Sequence, residues 1–192
     1  MNSKKVLFPL FILVVLAQLY VPAKMIWDKE DVLDSGKEFK FKTAPIDPSD
    51  PFRGKYIVLS YDENTIEIPD EHDWIRGEVI YVSMIEDNEG FAKIKAVSKE
   101  KLDPNEDFVK AEVGFITSFD TTKLTIDYPF DRFYMEESKA YDAELTYRES
   151  QRDTTKITYA LVNLKNGDAV LKDVLIDGIP IRALVKARQE EN

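Results

Sequence analysis

The sequence predicts a mainly β fold, an antiparallel meander or barrel-like sheet with one helix, behind an N-terminal transmembrane helix. An apolar run extends from Val6 to Ile26, and a helix needs about 20 such residues to cross a bilayer. After it, short runs of β-branched and aromatic residues follow one another. They are separated by turn residues such as Asn166-Gly167 and Asp177-Gly178, which are strong signals for two-residue hairpins.

The N-terminal segment predicts export and membrane anchoring. Lys4 and Lys5 precede the apolar run, and Tyr20 and Trp27 lie towards its end, where aromatic residues mark a membrane interface. Since positive residues stay in the cytoplasm, we expect a single-pass protein of the inner or cytoplasmic membrane. Its N-terminus is then inside and its main domain periplasmic or extracellular. The alternative is a signal peptide cleaved after Ala23.

Composition excludes several function classes. The chain has 26 Lys and Arg residues against 36 Asp and Glu residues, a formal net charge of −10. Such a surface repels phosphate backbones, so we expect no nucleic-acid partner. There is no cysteine, which excludes disulfides, thiolate catalysis and thiolate zinc sites.

Alternating apolar and polar residues predict a series of strands after the Pro-rich stretch at 44–51. A preceding half-buried strand is expected at 38–43. The later predicted strands cover 56–61, 65–68, 79–85, 91–97, 108–119, 123–128, 156–164, 169–176 and 179–184.

The one helix predicted after the anchor covers 136–147, which has apolar residues at helical spacing and neither proline nor glycine. The resulting domain division has a signal-anchor helix at 1–27 and a juxtamembrane lead with a Pro-rich loop at 28–51. An extracytoplasmic β-rich domain follows at 52–187, and 188–192 form a frayed tail.

The segment Asp-Pro-Phe-Arg-Gly-Lys-Tyr-Ile-Val-Leu-Ser-Tyr at 50–61 resembles the signature of the GDYXXLXY family of small bacterial membrane-anchored proteins. Gly54, Tyr56, Leu59 and Tyr61 match the signature, whereas Lys55 stands where the family name has aspartate. The resemblance therefore implies no role for a carboxylate at position 55. The order of anchor, Pro-rich lead, signature and C-terminal hairpin is also similar.

The resemblance implies a partner and no assigned reaction, because such proteins are encoded near polytopic membrane proteins. We therefore predict an extracytoplasmic accessory or binding module for a polytopic membrane protein, without catalysis. The candidate binding residues are in the signature and in a later aromatic stretch: Arg53, Tyr56, Tyr61, Arg132, Tyr134 and Glu136.

The signature strand has two interpretations. Alternation places Tyr56, Val58 and Ser60 on one face of the strand and Ile57, Leu59 and Tyr61 on the other. One interpretation is a central packing strand whose tyrosine hydroxyls find hydrogen-bond partners. The other has Tyr56 and Tyr61 lining a cleft.

The stretch at 131–137 also has two interpretations. Arg132 could hold a carboxylate in a bidentate pair beside Glu136 and Glu137, an arrangement that suits acid and base chemistry. Alternatively, the two glutamates only favour the positive end of a helix dipole.

Three further alternatives stay open. A hydrolase of the Ser/Lys type, similar to signal peptidases, would use Lys93 or Lys95 as its base. A binder of envelope glycans or peptides would use exposed aromatic residues such as Tyr134. His72 lies in an acidic loop, but a lone histidine is weak evidence for zinc, so we predict no metal and no cofactor.

Overall fold

The computed structural model describes residues 3–44, 56–153 and 155–191. Its helices are α1 (Ser3–Ser35), α2 (Glu137–Arg152) and α3 (Ile181–Glu191). Its strands are β1 (Lys37–Ala44), β2 (Tyr56–Val58), β3 (Ser60–Tyr61), β4 (Thr65–Glu67), β5 (Val79–Glu86), β6 (Ala92–Ser98), β7 (Phe108–Ser118), β8 (Thr122–Asp127), β9 (Arg132–Tyr134), β10 (Thr158–Lys165), β11 (Asp168–Ile176) and β12 (Ile179–Pro180).

The strands form two five-stranded sheets and a two-stranded one. The orders are β12-β11-β10-β1-β3, β4-β8-β7-β5-β6 and β2-β9, and the pairing is antiparallel throughout these sheets. Together they make a nearly closed, barrel-like arrangement. The Glu63 carboxylate helps to cover the β6 edge by accepting a hydrogen bond of 2.9 Å from the Ile94 backbone N–H. The mainly β fold class behind an N-terminal helix is therefore confirmed.

An aromatic cluster fills the core where the two large sheets meet. Phe41, Tyr61, Tyr128 and Phe130 are buried, and their ring centroids lie 5.0–5.9 Å apart. Most of the pairs are edge-to-face, the arrangement that the aromatic quadrupole favours. β1 brings Phe41 into this cluster from the first sheet, so the cluster ties the segment after α1 to the rest of the domain.

Among the described residues, α1 is the one helix long and apolar enough to cross a membrane. Its apolar side chains from Leu7 to Trp27 are largely exposed, as expected of a segment whose solvent is lipid. The helix does not end with the apolar run, however. It continues without a break to Ser35.

The C-terminal end of α1 packs on the β10–β11 hairpin. Val32 is 4% exposed, and the Asn163 amide donates a hydrogen bond of 2.8 Å to the Leu33 carbonyl, one of the carbonyls left free at the helix end. Lys165 Nζ lies 2.6 Å from the Asp31 carboxylate. A Cβ on Gly36 would overlap the Val32 carbonyl oxygen, so this close approach requires glycine.

The predicted hairpins at 79–97, 108–128 and 156–176 are confirmed. Asn166 and Gly167 both have positive φ, at 54° and 94°, which is the backbone of the type I′ turn that joins β10 to β11. Asp177 and Gly178 form a second such turn, with φ of 51° and 81°. The predicted strand at 38–43 is confirmed as β1, an inner strand between β10 and β3.

The strand predicted at 179–184 is wrong from Ile181 onward. β12 ends at Pro180, which has no N–H to donate to a ladder, and α3 follows. Ile181 and Val185, one helical turn apart, are both fully buried, and this spacing is that of a helix face. The tail expected to fray over 188–192 is helical as far as Glu191.

Two other boundaries differ from the sequence prediction. The strand predicted at 56–61 is interrupted at Leu59, which separates β2 from β3. The helix predicted at 136–147 runs five residues further, to Arg152. The lead assigned to 28–51 contains the end of α1 and all of β1, so its described part belongs to the packed structure, whereas 45–51 lie outside the described residues.

Candidate binding surface

β2 and β9 place three of the six candidate residues on one small surface. The two strands are antiparallel, with Tyr56 opposite Tyr134, Ile57 opposite Phe133 and Val58 opposite Arg132. Ile57 and Phe133 are each 2% exposed and face the core. Because side chains alternate along a strand, their neighbours face outward. We call Tyr56, Arg132 and Tyr134 the aromatic–arginine surface.

The three side chains of this surface contact one another. The Tyr56 and Tyr134 rings are tilted at 55° with centroids 5.3 Å apart, and the Arg132 guanidinium lies 5.3 Å from the Tyr56 ring centroid. A hydrogen bond with the Tyr134 side chain and the nearby charge of Asp131 raise the pKa of Arg132. Tyr134 is nevertheless 60% exposed, so the surface is ordered internally and open to solvent.

A second arginine, which the sequence analysis did not select, contacts the core-facing side of β9. The Arg182 guanidinium is 5.0 Å from the ring centroid of Phe133, the residue between Arg132 and Tyr134. Arg182 belongs to α3, a segment that the sequence analysis predicted as a strand. The helical spacing of Ile181, Leu184 and Val185 was the signal that would have identified this helix.

Tyr61 is separated from the aromatic–arginine surface and lies in the core. It is 3% exposed, and its hydroxyl donates a hydrogen bond of 2.7 Å to the Phe130 carbonyl. Burial raises the pKa of this hydroxyl well above its usual value. Tyr56 and Tyr61 therefore do not line one cleft, and the packing interpretation applies to Tyr61.

Glu136 lies at the start of α2, where its largely exposed side chain pairs with Lys139 of the first turn. Lys139 Nζ is 2.8 Å from its carboxylate, and this hydrogen bond holds the pKa of Glu136 below its usual value. A general acid needs the opposite shift, towards neutral pH. The interpretation as a helix start therefore fits Glu136 better than the carboxylate-pair interpretation. The remaining candidate residue, Arg53, lies outside the described residues.

The residues considered for other chemistry are dispersed. Lys93 and Lys95 are exposed on β6, and Lys95 pairs with Glu106 at 3.9 Å. His72 is exposed in the loop between β4 and β5. Among the described residues, no group of three or more His, Asp or Glu side chains is arranged to hold a metal ion.

The family model for the GDYXXLXY protein matches residues 18–174, which is most of the chain. The chain belongs to the GDYXXLXY family. The match runs from the second half of α1 through the signature, the aromatic–arginine surface and α2 into β11. No curated protein and no solved structure shows significant similarity to the chain.

The structure divides the residues that name the GDYXXLXY family between two environments. Leu59 and Tyr61 are 4% and 3% exposed and pack in the core, whereas Tyr56 is half-buried on the aromatic–arginine surface. Gly54 and Lys55 lie outside the described residues. Two of the signature residues are thus explained by packing, and Tyr56 carries the contact with Arg132 and Tyr134.

Proposed function

We propose that this GDYXXLXY protein is an extracytoplasmic accessory module, anchored by α1, that binds a polytopic membrane protein and carries out no reaction of its own. The observation that carries the proposal is the aromatic–arginine surface on a domain packed directly against its own membrane helix. In the proposed orientation, Lys4 and Lys5 remain in the cytoplasm and the acidic domain is outside.

The chemistry of the aromatic–arginine surface supports protein binding. Tyrosine and arginine are enriched among the residues that contribute most to protein interfaces. Tyr56 and Arg132 are already held by their mutual contact, so little side-chain entropy is lost when a partner covers them. A glycan or peptide could use the same exposed Tyr134 ring, and the experiment below separates these ligands from a membrane protein.

The hydrolase alternative receives less support from the arrangement of side chains. A Ser/Lys mechanism needs a neutral lysine amine beside a nucleophilic hydroxyl. Lys95 is instead exposed, and its Nζ lies 3.9 Å from the Glu106 carboxylate. The Ser83 hydroxyl lies 3.4 Å from the same carboxylate, and Ser83 is 4% exposed.

The proposal is tested by purifying the full-length protein from its native membrane in mild detergent and quantifying the membrane proteins that accompany it. Tyr134→Ala and Arg132→Ala should each reduce recovery of one polytopic protein at least tenfold. Tyr141→Ala removes an equally exposed tyrosine, 73% exposed on α2, and should leave recovery unchanged. Equal recovery with all three variants, or no polytopic protein at all, would contradict the proposal.

A further inference from the structure

The path of the chain from α1 to the aromatic–arginine surface sets a distance from the membrane. At the end of α1, Asn163 contacts Leu33, and Lys165, at the turn of the hairpin, contacts both Asp31 and Ser35. Further along the same hairpin, Lys29 donates to the Ala169 carbonyl. The turn of the β10–β11 hairpin therefore points towards the membrane.

β1 continues in the same sense as α1, away from the membrane. It pairs antiparallel with β10, from Lys37 opposite Leu164 to Lys42 opposite Tyr159. From Trp27 to Ser35 a helix rises about 12 Å, and from Lys37 to Thr43 a strand rises about 20 Å. Added end to end, these rises place Thr43 at most about 35 Å from the level of Trp27.

The aromatic–arginine surface lies at the same end of the domain as Thr43. β3 pairs antiparallel with β1, with Tyr61 opposite Thr43 and Ser60 opposite Ala44. β3 therefore lies at the end of the domain away from the membrane, and β2 directly precedes it in the chain. The Leu59 N–H bonds to the Asp131 carbonyl at 2.8 Å, which holds β9 at the same end of the domain.

The junction keeps this distance fixed. Val32 is buried, Asn163 binds the end of α1, and a Cβ on Gly36 would lie 3.0 Å from the Leu164 carbonyl oxygen of β10. Ion pairs from Lys165 to Asp31 and from Lys29 to Asp168 add two exposed contacts. The domain is thus packed on its helix and is not tethered by a flexible linker.

Resting on the proposed function, we infer that the aromatic–arginine surface, at the end of the domain away from the membrane, binds a folded extracytoplasmic domain of the polytopic partner. Short loops between transmembrane helices stay at the membrane surface, and the rigid junction prevents the surface from bending down to them. The partner segment that it fits is therefore a folded domain that rises from the bilayer.

Two measurements on the full-length protein test this inference. In the first, single-cysteine variants Tyr134→Cys and Asp168→Cys are labelled with a fluorophore and reconstituted into phosphatidylcholine–phosphatidylglycerol vesicles that contain acceptor-labelled headgroups. Asp168, beside Lys29, is the membrane-proximal reference. Energy transfer should be strong from position 168 and at least fivefold weaker from position 134, whereas equal transfer would overturn the inference.

In the second measurement, a photo-crosslinking benzophenone side chain replaces Tyr134 in cells, and the crosslinked partner peptides are sequenced. The expected peptides belong to an extracytoplasmic domain. Crosslinks to short interhelical loops would overturn the inference and leave the proposed function intact. If no polytopic membrane protein is crosslinked, the proposed function fails, and the partner inference fails with it, even when the vesicle measurement gives the expected distance.

Discussion

Replacing Tyr61 with phenylalanine separates a packing role from a binding role for the most recognisable tyrosine of the signature. The substitution keeps the ring, which contacts Phe41, Tyr128 and Phe130 at centroid distances of 5.3–5.9 Å. It removes only the hydroxyl that donates to the Phe130 carbonyl at 2.7 Å. The effect on folding therefore reports the hydrogen bond alone.

The expected loss of stability follows from the burial of this hydrogen bond. A buried carbonyl that loses its donor costs about 1–2 kcal/mol. For a domain of this size each kcal/mol lowers the Tm by about 2–4 °C, so the Tm of Tyr61→Phe should fall by about 2–8 °C. Tyr61→Ala also opens a cavity in the aromatic cluster and should cost about 3–5 kcal/mol.

The assay is thermal unfolding of the full-length protein in detergent, followed by near-ultraviolet circular dichroism, which reports aromatic packing. Tyr134→Phe is the matched control, because Tyr134 is 60% exposed and its substitution should change stability by less than about 0.5 kcal/mol. Partner recovery should remain normal for Tyr61→Phe at temperatures where the variant is folded. A variant that unfolds like the natural protein yet loses its partner would refute the packing role.

Three further predictions concern the junction and the core. Gly36→Ala should destabilise the junction by about 1–3 kcal/mol, because the new Cβ overlaps the Val32 carbonyl. Protease cleavage after α1 should therefore be faster in this variant. The control variant Glu30→Ala, on an exposed part of α1, should leave the cleavage rate unchanged. Asn163 is 3% exposed and contacts the C-terminal end of α1, where the helix dipole is negative. Asn163→Asp places a carboxylate at this position, and the dipole disfavours its charged form. Urea unfolding should show a greater loss of stability at pH 8 than at pH 5, and a pH-independent loss would contradict this reasoning. Burial raises the pKa of Tyr147 to about 12, so its contribution to stability is complete below about pH 10 and is lost as the pH rises towards 12; tyrosinate absorbance should show this residue ionising only as the domain unfolds.

Local signals in the sequence were sufficient for the hairpins. Asn166-Gly167 and Asp177-Gly178 require positive φ at both turn positions, and few other residues supply it. The alternation around the signature was equally informative, since Ile57, Leu59 and Tyr61 are all buried and Val58 is exposed. Such patterns depend on neighbours along the chain, and these are visible in the sequence.

Features that depend on distant segments could not be predicted in the same way. α3 was read as a strand because Ile179-Pro180 continues a hairpin, although Pro180 ends the ladder. β9 has only three residues and exists because β2 lies beside it. The docking of α1 depends on Asn163, which is far away in the sequence. The contact between Tyr56, Arg132 and Tyr134 likewise needs the register of two separate strands.

The central claim, a membrane-anchored module with its domain outside, is tested most directly by cysteine accessibility in intact cells. The chain has no cysteine, so each introduced cysteine is the only site for an impermeant maleimide. Tyr134→Cys should be labelled in intact cells, and Ser3→Cys only after the membrane is permeabilised. Labelling of Ser3→Cys but not Tyr134→Cys in intact cells would place the domain in the cytoplasm and contradict the account.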